Sequence, residues 1–95
     1  MLICKVVGHV WATKKEENLN GLKLMVVEEL VNGTEKKGTP FVAADVVGAG
    51  IGERVLTVSG STARKAFGNG RDEVPVDAAI VAIIDSLEVD REGIL

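Results

Sequence analysis

The sequence contains no tyrosine, and its aromatic content is only 3%, carried by Trp11, Phe41 and Phe67. A core built without aromatics must come from Val, Ile, Leu and Ala, which predominate here. The chain has one cysteine, Cys4, so no intrachain disulfide can form, and this fits a reduced, cytoplasmic setting. It has one histidine, His9, so neither a multi-histidine metal site nor a Ser-His-Asp arrangement has spare members. It lacks a basic excess: 11 Lys and Arg against 14 Asp and Glu give a net charge of −3. The electrostatic footprint of a general nucleic-acid binder is therefore absent. It also lacks a long apolar run. The longest, Val74 to Ile84, is interrupted by Asp77 and falls far short of the roughly 20 residues of a membrane span. Met1 to Thr13 does not read as a secretory signal, because no basic region precedes it and Lys5 and His9 break its apolar character.

What remains is a chain of 95 residues with 46% hydrophobic and 26% charged residues, which excludes intrinsic disorder and reads as one domain, 1–95. Domains of this size bury a small fraction of their surface, so association with further copies is favoured.

Alternation of side chains marks the strands. Leu2 to Thr13 places Leu2, Cys4 and Val6 on an apolar face and Lys5 and His9 on the other. Gly8 in the middle of this strand predicts a bulge or bend. Lys23 to Val31 reads as a second strand, followed by the turn signal Asn32-Gly33. Thr34 to Pro40 reads as a mobile polar loop, Phe41 to Val47 as a third strand, and Arg54 to Ser59 as a fourth. Ser61 to Phe67, with Ser61 as N-cap and Gly68 beyond its end, reads as one short helix. Ala78 to Val89 is a fifth strand, apolar on both faces, so something must cover each face, another subunit being the expected second cover. Five short strands and a short helix before the last give an all-β class, a small five-stranded OB-like closed barrel.

The glycine run Gly48-Ala49-Gly50-Ile51-Gly52 is followed by strand rather than helix. It therefore reads as a tight strand connection and not as a dinucleotide loop. Cys4 and His9 fall on opposite faces of one strand, so neither a metal nor a nucleophilic site is expected and no cofactor is implied. Asp45, Asp77 and Asp85 adjoin apolar runs, and each needs a hydrogen-bonding or cationic partner, with Arg54, Arg64 or backbone N–H groups available. No nucleophile stands near them, so they are expected to be structural and the chain not to be an enzyme.

Three segments together resemble a known family. They are Gly8-His9-Val10-Trp11-Ala12-Thr13-Lys14-Lys15 with Leu19-Asn20-Gly21-Leu22-Lys23-Leu24, then Ala43-Ala44-Asp45-Val46-Val47-Gly48-Ala49-Gly50-Ile51-Gly52-Glu53 with Gly60-Ser61-Thr62-Ala63-Arg64, and finally Pro75-Val76-Asp77-Ala78-Ala79-Ile80-Val81-Ala82-Ile83-Ile84-Asp85. In this order and spacing the chain resembles the EutN/CcmL family, the vertex proteins of bacterial microcompartment shells, carboxysomes included. Val46 stands where the family commonly has Thr, and Thr62 where it has Ser or Ala.

The resemblance implies a five-stranded barrel assembling into a cyclic homopentamer that caps shell vertices beside hexameric shell proteins. No nucleic acid and no membrane are involved. It also implies an oligomer interface, expected to draw on Asp45, Gly48, Gly50, Gly52, Glu53, Ser61, Arg64, Asp77, Ile83 and Asp85. Gly50 is expected at positive φ, with the other loop glycines permitting close backbone approach. Two other readings use the same barrel: an OB-type nucleic-acid-binding domain, weakened by the scarcity of stacking aromatics, and a small metabolite-binding subunit.

Overall fold

The computed structural model describes residues 1–11, 21–31, 35–60, 63 and 76–85. These carry strands β1 (Leu2–His9), β2 (Lys23–Val31), β3 (Glu35–Asp45), β4 (Arg54–Ser59) and β5 (Ala78–Ile83). They close into a barrel in the order β1-β2-β3-β5-β4. All neighbours are antiparallel except β3 and β5, which run parallel through Ala44↔Ala79 and Asp45↔Ile80. Closure removes the unpaired edges that strands this short would otherwise expose.

The period-two pattern decides what fills the barrel. Cys4 and Val6 of β1, Met25 and Val27 of β2, Ala43 of β3, Val55 of β4, and Ala78 and Ile80 of β5 form one buried cluster, with Phe41 and Ile83 packed against it. Alternation is interrupted at bulges, which re-aim the chain as the barrel bends. In the β1–β2 ladder the register shifts between Val6 and Gly8, where Gly8 signalled a bend. In the β2–β3 ladder it shifts between Val27 and Glu29. There Gly38, at φ 76°, and Pro40 interrupt β3, and proline lacks the N–H that a regular ladder needs. A third shift lies between Leu56 and Thr57 on β4.

Thr57 is a polar residue in this apolar interior, only 2% exposed. Its hydroxyl donates to the carbonyl of Leu2 at 3.4 Å and lies 3.6 Å from the Cys4 sulfur. That satisfies it without water, and no buried side-chain N or O among the described residues lacks a partner.

The strand boundaries differ from the sequence reading at four places, one of them the end of β3, which stops at Asp45 rather than Val47. β1 ends at His9 rather than Thr13, and beyond it Trp11 stands 88% exposed. β3 begins at Glu35, so part of the segment read as a mobile loop is ladder instead: Lys37, Lys36 and Glu35 pair with Glu29, Leu30 and Val31. Local polarity suggested a loop, but backbone pairing with β2 does not require apolar side chains; the turn signal Asn32-Gly33 lies outside the described residues. β5 ends at Ile83. Within the expected helix, only Ala63 lies among the described residues. It is helical, fully buried, and donates its N–H to Gly60 at 3.1 Å.

The two apolar faces of β5 are covered differently from expectation at its first half. Ala78 and Ile80 face the barrel interior, while Ala79 is buried on the outside against Val58 and Ala63 of the same chain. Val81 to Ile84 remain half-buried.

Candidate functional site at the β3–β4 loop

The connection between β3 and β4 runs from Val46 to Glu53 and closes one end of the barrel. Its shape is set by two carboxylates. Asp45 ends β3 and is buried. Its Oδ1 accepts N–H bonds from Val47 at 2.9 Å and Gly48 at 3.0 Å, and its Oδ2 accepts from Ala49 at 2.7 Å. Lys23, opposite Asp45 in the ladder, places its ammonium 3.4 Å from Oδ2 and donates to the Ala49 carbonyl at 2.6 Å. A buried carboxylate is thus matched by three backbone donors and a cation, as its desolvation requires. At the far end of the loop, Glu53 Oε1 accepts the Gly50 N–H at 2.6 Å. The loop is tied to β1 by Gly52 N–H to Val6 at 2.8 Å and Val6 N–H to Glu53 at 3.0 Å.

This bonding does two things. It presses Ala49 into the barrel, where the residue is fully buried within the core cluster. It also holds Val46, Val47 and Ile51 outward, at 41%, 39% and 59% exposure. Three apolar side chains on a loop braced by charge-assisted bonds make a presented apolar surface.

The glycines act differently from one another. Gly48 and Gly52 adopt φ of 80° and 94°, a region side chains resist. Gly50 does not adopt positive φ, which corrects the expectation for that position. Its constraint is spatial and mild, because an added Cβ would lie 3.4 Å from Glu53 Oε1.

Among the residues proposed from sequence, Asp45, Gly48, Gly50, Gly52 and Glu53 come together in this loop. Asp77 and Asp85 do not join them. Both are exposed, flanking the two ends of β5, and Ile83 is half-buried near its end. The Asp77 carbonyl accepts the Gly60 N–H at 2.8 Å. Ser61 and Arg64 lie outside the described residues. Sequence reasoning missed Lys23 and Ala49: a lysine opening a strand has no distinguishing mark until the ladder register sets it opposite Asp45.

No three His, Cys, Asp or Glu side chains gather into a metal-binding group among the described residues. Cys4 is fully buried. Burial pushes its thiol above the ordinary 9.0, the Thr57 hydroxyl opposes this, and Glu29 adds to it. A thiol held protonated is a poor nucleophile. No helix among the described residues is long and apolar enough to cross a membrane.

At the opposite end of the barrel lies an open groove of about 450 Å³, lined by Leu2, Phe41, Val42, Ser59, Asp77 and Ala78. Leu2 is 38% and Val42 45% exposed there.

Comparison with known proteins decides the lineage. Residues 1–85 match the family model EutN_CcmL, described as ethanolamine utilisation protein EutN/carboxysome. The chain belongs to the EutN/CcmL family. A relative within it, the carboxysome shell vertex protein CcmL of Synechocystis, is 47% identical over 93 residues, covering 94% of this chain and 87% of its own. The solved GrpN pentameric microcompartment shell protein from Rhodospirillum rubrum superposes with a TM-score of 0.84 at 40% identity, covering 95% of this chain and all (100%) of that one. A pentameric shell protein from the RMM microcompartment superposes with a TM-score of 0.78 at 33% identity, covering 97% of this chain and 99% of that one. The barrel of this EutN/CcmL protein is thus shared over nearly its whole length with solved pentameric shell proteins. The relatives named here are structural shell proteins.

Proposed function

We propose that this EutN/CcmL protein is a structural component of a bacterial microcompartment shell in the cytoplasm, closing into a homopentamer that caps the shell's vertices. The observation that carries this reading is the end-to-end match, in sequence and in barrel, to relatives described as shell vertex or pentameric shell proteins. Its action is geometric. Flat sheets of hexameric shell proteins cannot close, and five-fold units supply the curvature that lets them. The partners are therefore further copies of the chain and the hexameric tiles around each vertex. No reaction is assigned to it.

Elementary energetics agrees. A small, aromatic-poor barrel that exposes Val46, Val47, Ile51, Leu2 and Val42 gains stability when these are covered. In a ring each subunit meets its neighbour through two different surfaces. The loop is one of them in this reading: Asp45 and Glu53 hold its shape, and Gly48, Gly50 and Gly52 keep its outer backbone free of side chains. Ser61, Arg64, Asp77, Ile83 and Asp85 contribute to the remaining contacts. The experiment is light scattering coupled to size exclusion over a dilution series of the purified protein. A mass of five subunits is expected, and a monomer at every concentration would overturn the reading.

A further inference from the structure

The barrel has two ends of opposite character, and each carries a charge with no partner among the described residues. On the outer surface near the loop, Lys5 and Arg54 are direct neighbours in the β1–β4 ladder. Each alternates with buried residues, Cys4 and Val6 for Lys5 and Val55 for Arg54, so both side chains point outward. Like charges facing each other across a ladder disfavour one another. Glu28 lies on the other side of Lys5, in the β1–β2 ladder. Arg54 makes no hydrogen bond or ion pair through its side chain among the described residues. At the other end, Asp77 is exposed beside the apolar groove, and its carboxylate is likewise unpaired among those residues.

Arg54 and Asp77 cannot meet within one subunit. Arg54 opens β4 and Ser59 closes it, opposite Ala78, the residue after Asp77. Five residues of strand separate the two ends by about 16 Å. The surroundings also match across that distance. Arg54 follows the loop that presents Val46, Val47 and Ile51, and Asp77 borders the groove that exposes Leu2 and Val42.

We infer that neighbouring subunits meet head to tail, the loop end of one barrel against the groove of the next, with Arg54 of one pairing with Asp77 of the other. The occupant of the groove is a second copy of this chain. An apolar knuckle with a cation beside it suits an apolar groove with a carboxylate beside it. Repetition of such a contact between unlike surfaces generates a ring when the rotation closes. This contact rests on the pentamer reading and specifies it.

The test is charge exchange. Wild type, Arg54→Glu, Asp77→Arg and the double variant are compared by sedimentation velocity across a dilution series, with circular dichroism confirming that each is folded. Each single variant is expected to raise the concentration of half-dissociation about tenfold or more, as befits a close interfacial charge pair. The double variant is expected to recover most of that loss. If a reversed single variant does not fold, Arg54→Gln and Asp77→Asn remove one charge each and are expected to weaken the ring by a smaller factor. A pentameric wild type whose single variants dissociate no more readily, or whose double variant is no better than the worse single, overturns the Arg54–Asp77 contact and leaves the ring standing. A monomeric wild type overturns both.

Discussion

Lys23 and Asp45 stand directly opposite in the β2–β3 ladder, and the ammonium closes to 3.4 Å from the carboxylate. The same ammonium donates to the Ala49 carbonyl, while Asp45 accepts the Ala49 N–H. Both polar groups of Ala49 are thus held while its methyl enters the barrel. One cross-strand pair thereby seals the end of the core and shapes the exposed surface above it.

Replacing Asp45 with Ala removes a buried acceptor of three N–H groups, and hydrogen bonds to charged groups are worth about 1.5–3 kcal/mol each. The loop can rehydrate in part, so Asp45→Ala is expected to cost about 3 kcal/mol, lowering the thermal midpoint by on the order of 15 °C. Lys23→Met should cost about 1 kcal/mol. The Lys23 side chain is 42% exposed, so its ion pair is screened and its bond to Ala49 is the larger part. Calorimetry at matched protein concentration checks the order, because assembly raises the midpoint by mass action. Equal losses in the two variants would refute this division of roles.

Gly52→Ala forces a side chain into positive φ and is expected to destabilise by about 1–2 kcal/mol. Gly50→Ala meets no such strain, and the flexible end of Glu53 can move aside. It should therefore be the milder change. Urea denaturation ranks the two, and the reverse order would show that crowding rather than backbone conformation governs the loop.

Burial of Cys4 makes stability pH-dependent on the alkaline side. The folded thiol holds its proton above the ordinary 9.0, so its contribution is complete below that pH. It is lost as the pH rises toward the folded value, because the unfolded chain ionises first. Wild type should therefore lose more stability than Cys4→Ala between neutral pH and the region above 9.0, by denaturant titration at each pH. Parallel curves for the two proteins would exclude Cys4 as the source.

Met25 and Trp11 test what exposure means here. Met25 is fully buried at the centre of the core, and Met25→Ala should cost about 2–5 kcal/mol through lost burial and a residual cavity. Trp11 is stacked on His9 at 5.5 Å but 88% exposed, so Trp11→Ala should change monomer stability by less than about 0.5 kcal/mol. A large loss for Trp11→Ala that grows with protein concentration would place this side chain in a contact between subunits.

The sequence by itself determined the class and the barrel. In Leu2–Val6 the placing of Lys5 between Cys4 and Val6 marks an inner and an outer face, whereas Leu24–Val27 is apolar throughout, and only the structure shows that Met25 and Val27 are the inward pair. Gly8 and the Gly48–Gly52 run marked a bend and a tight connection because few other residues serve there. The β3 boundary was not legible. Residues 35–37 are polar, and their strand character comes from the ladder partner across the hairpin. Nor was the conformation of Gly50, since a glycine in a run does not declare which member turns left-handed. Only the tertiary structure decided that Asp45 is answered by Lys23 and three loop amides, that Ala63 covers Ala79, and that Arg54 and Asp77 end up at opposite ends of the barrel. Each of these depends on strand register and closure. Those are fixed by the whole set of packed contacts at once, whereas alternation is written locally, one residue after another.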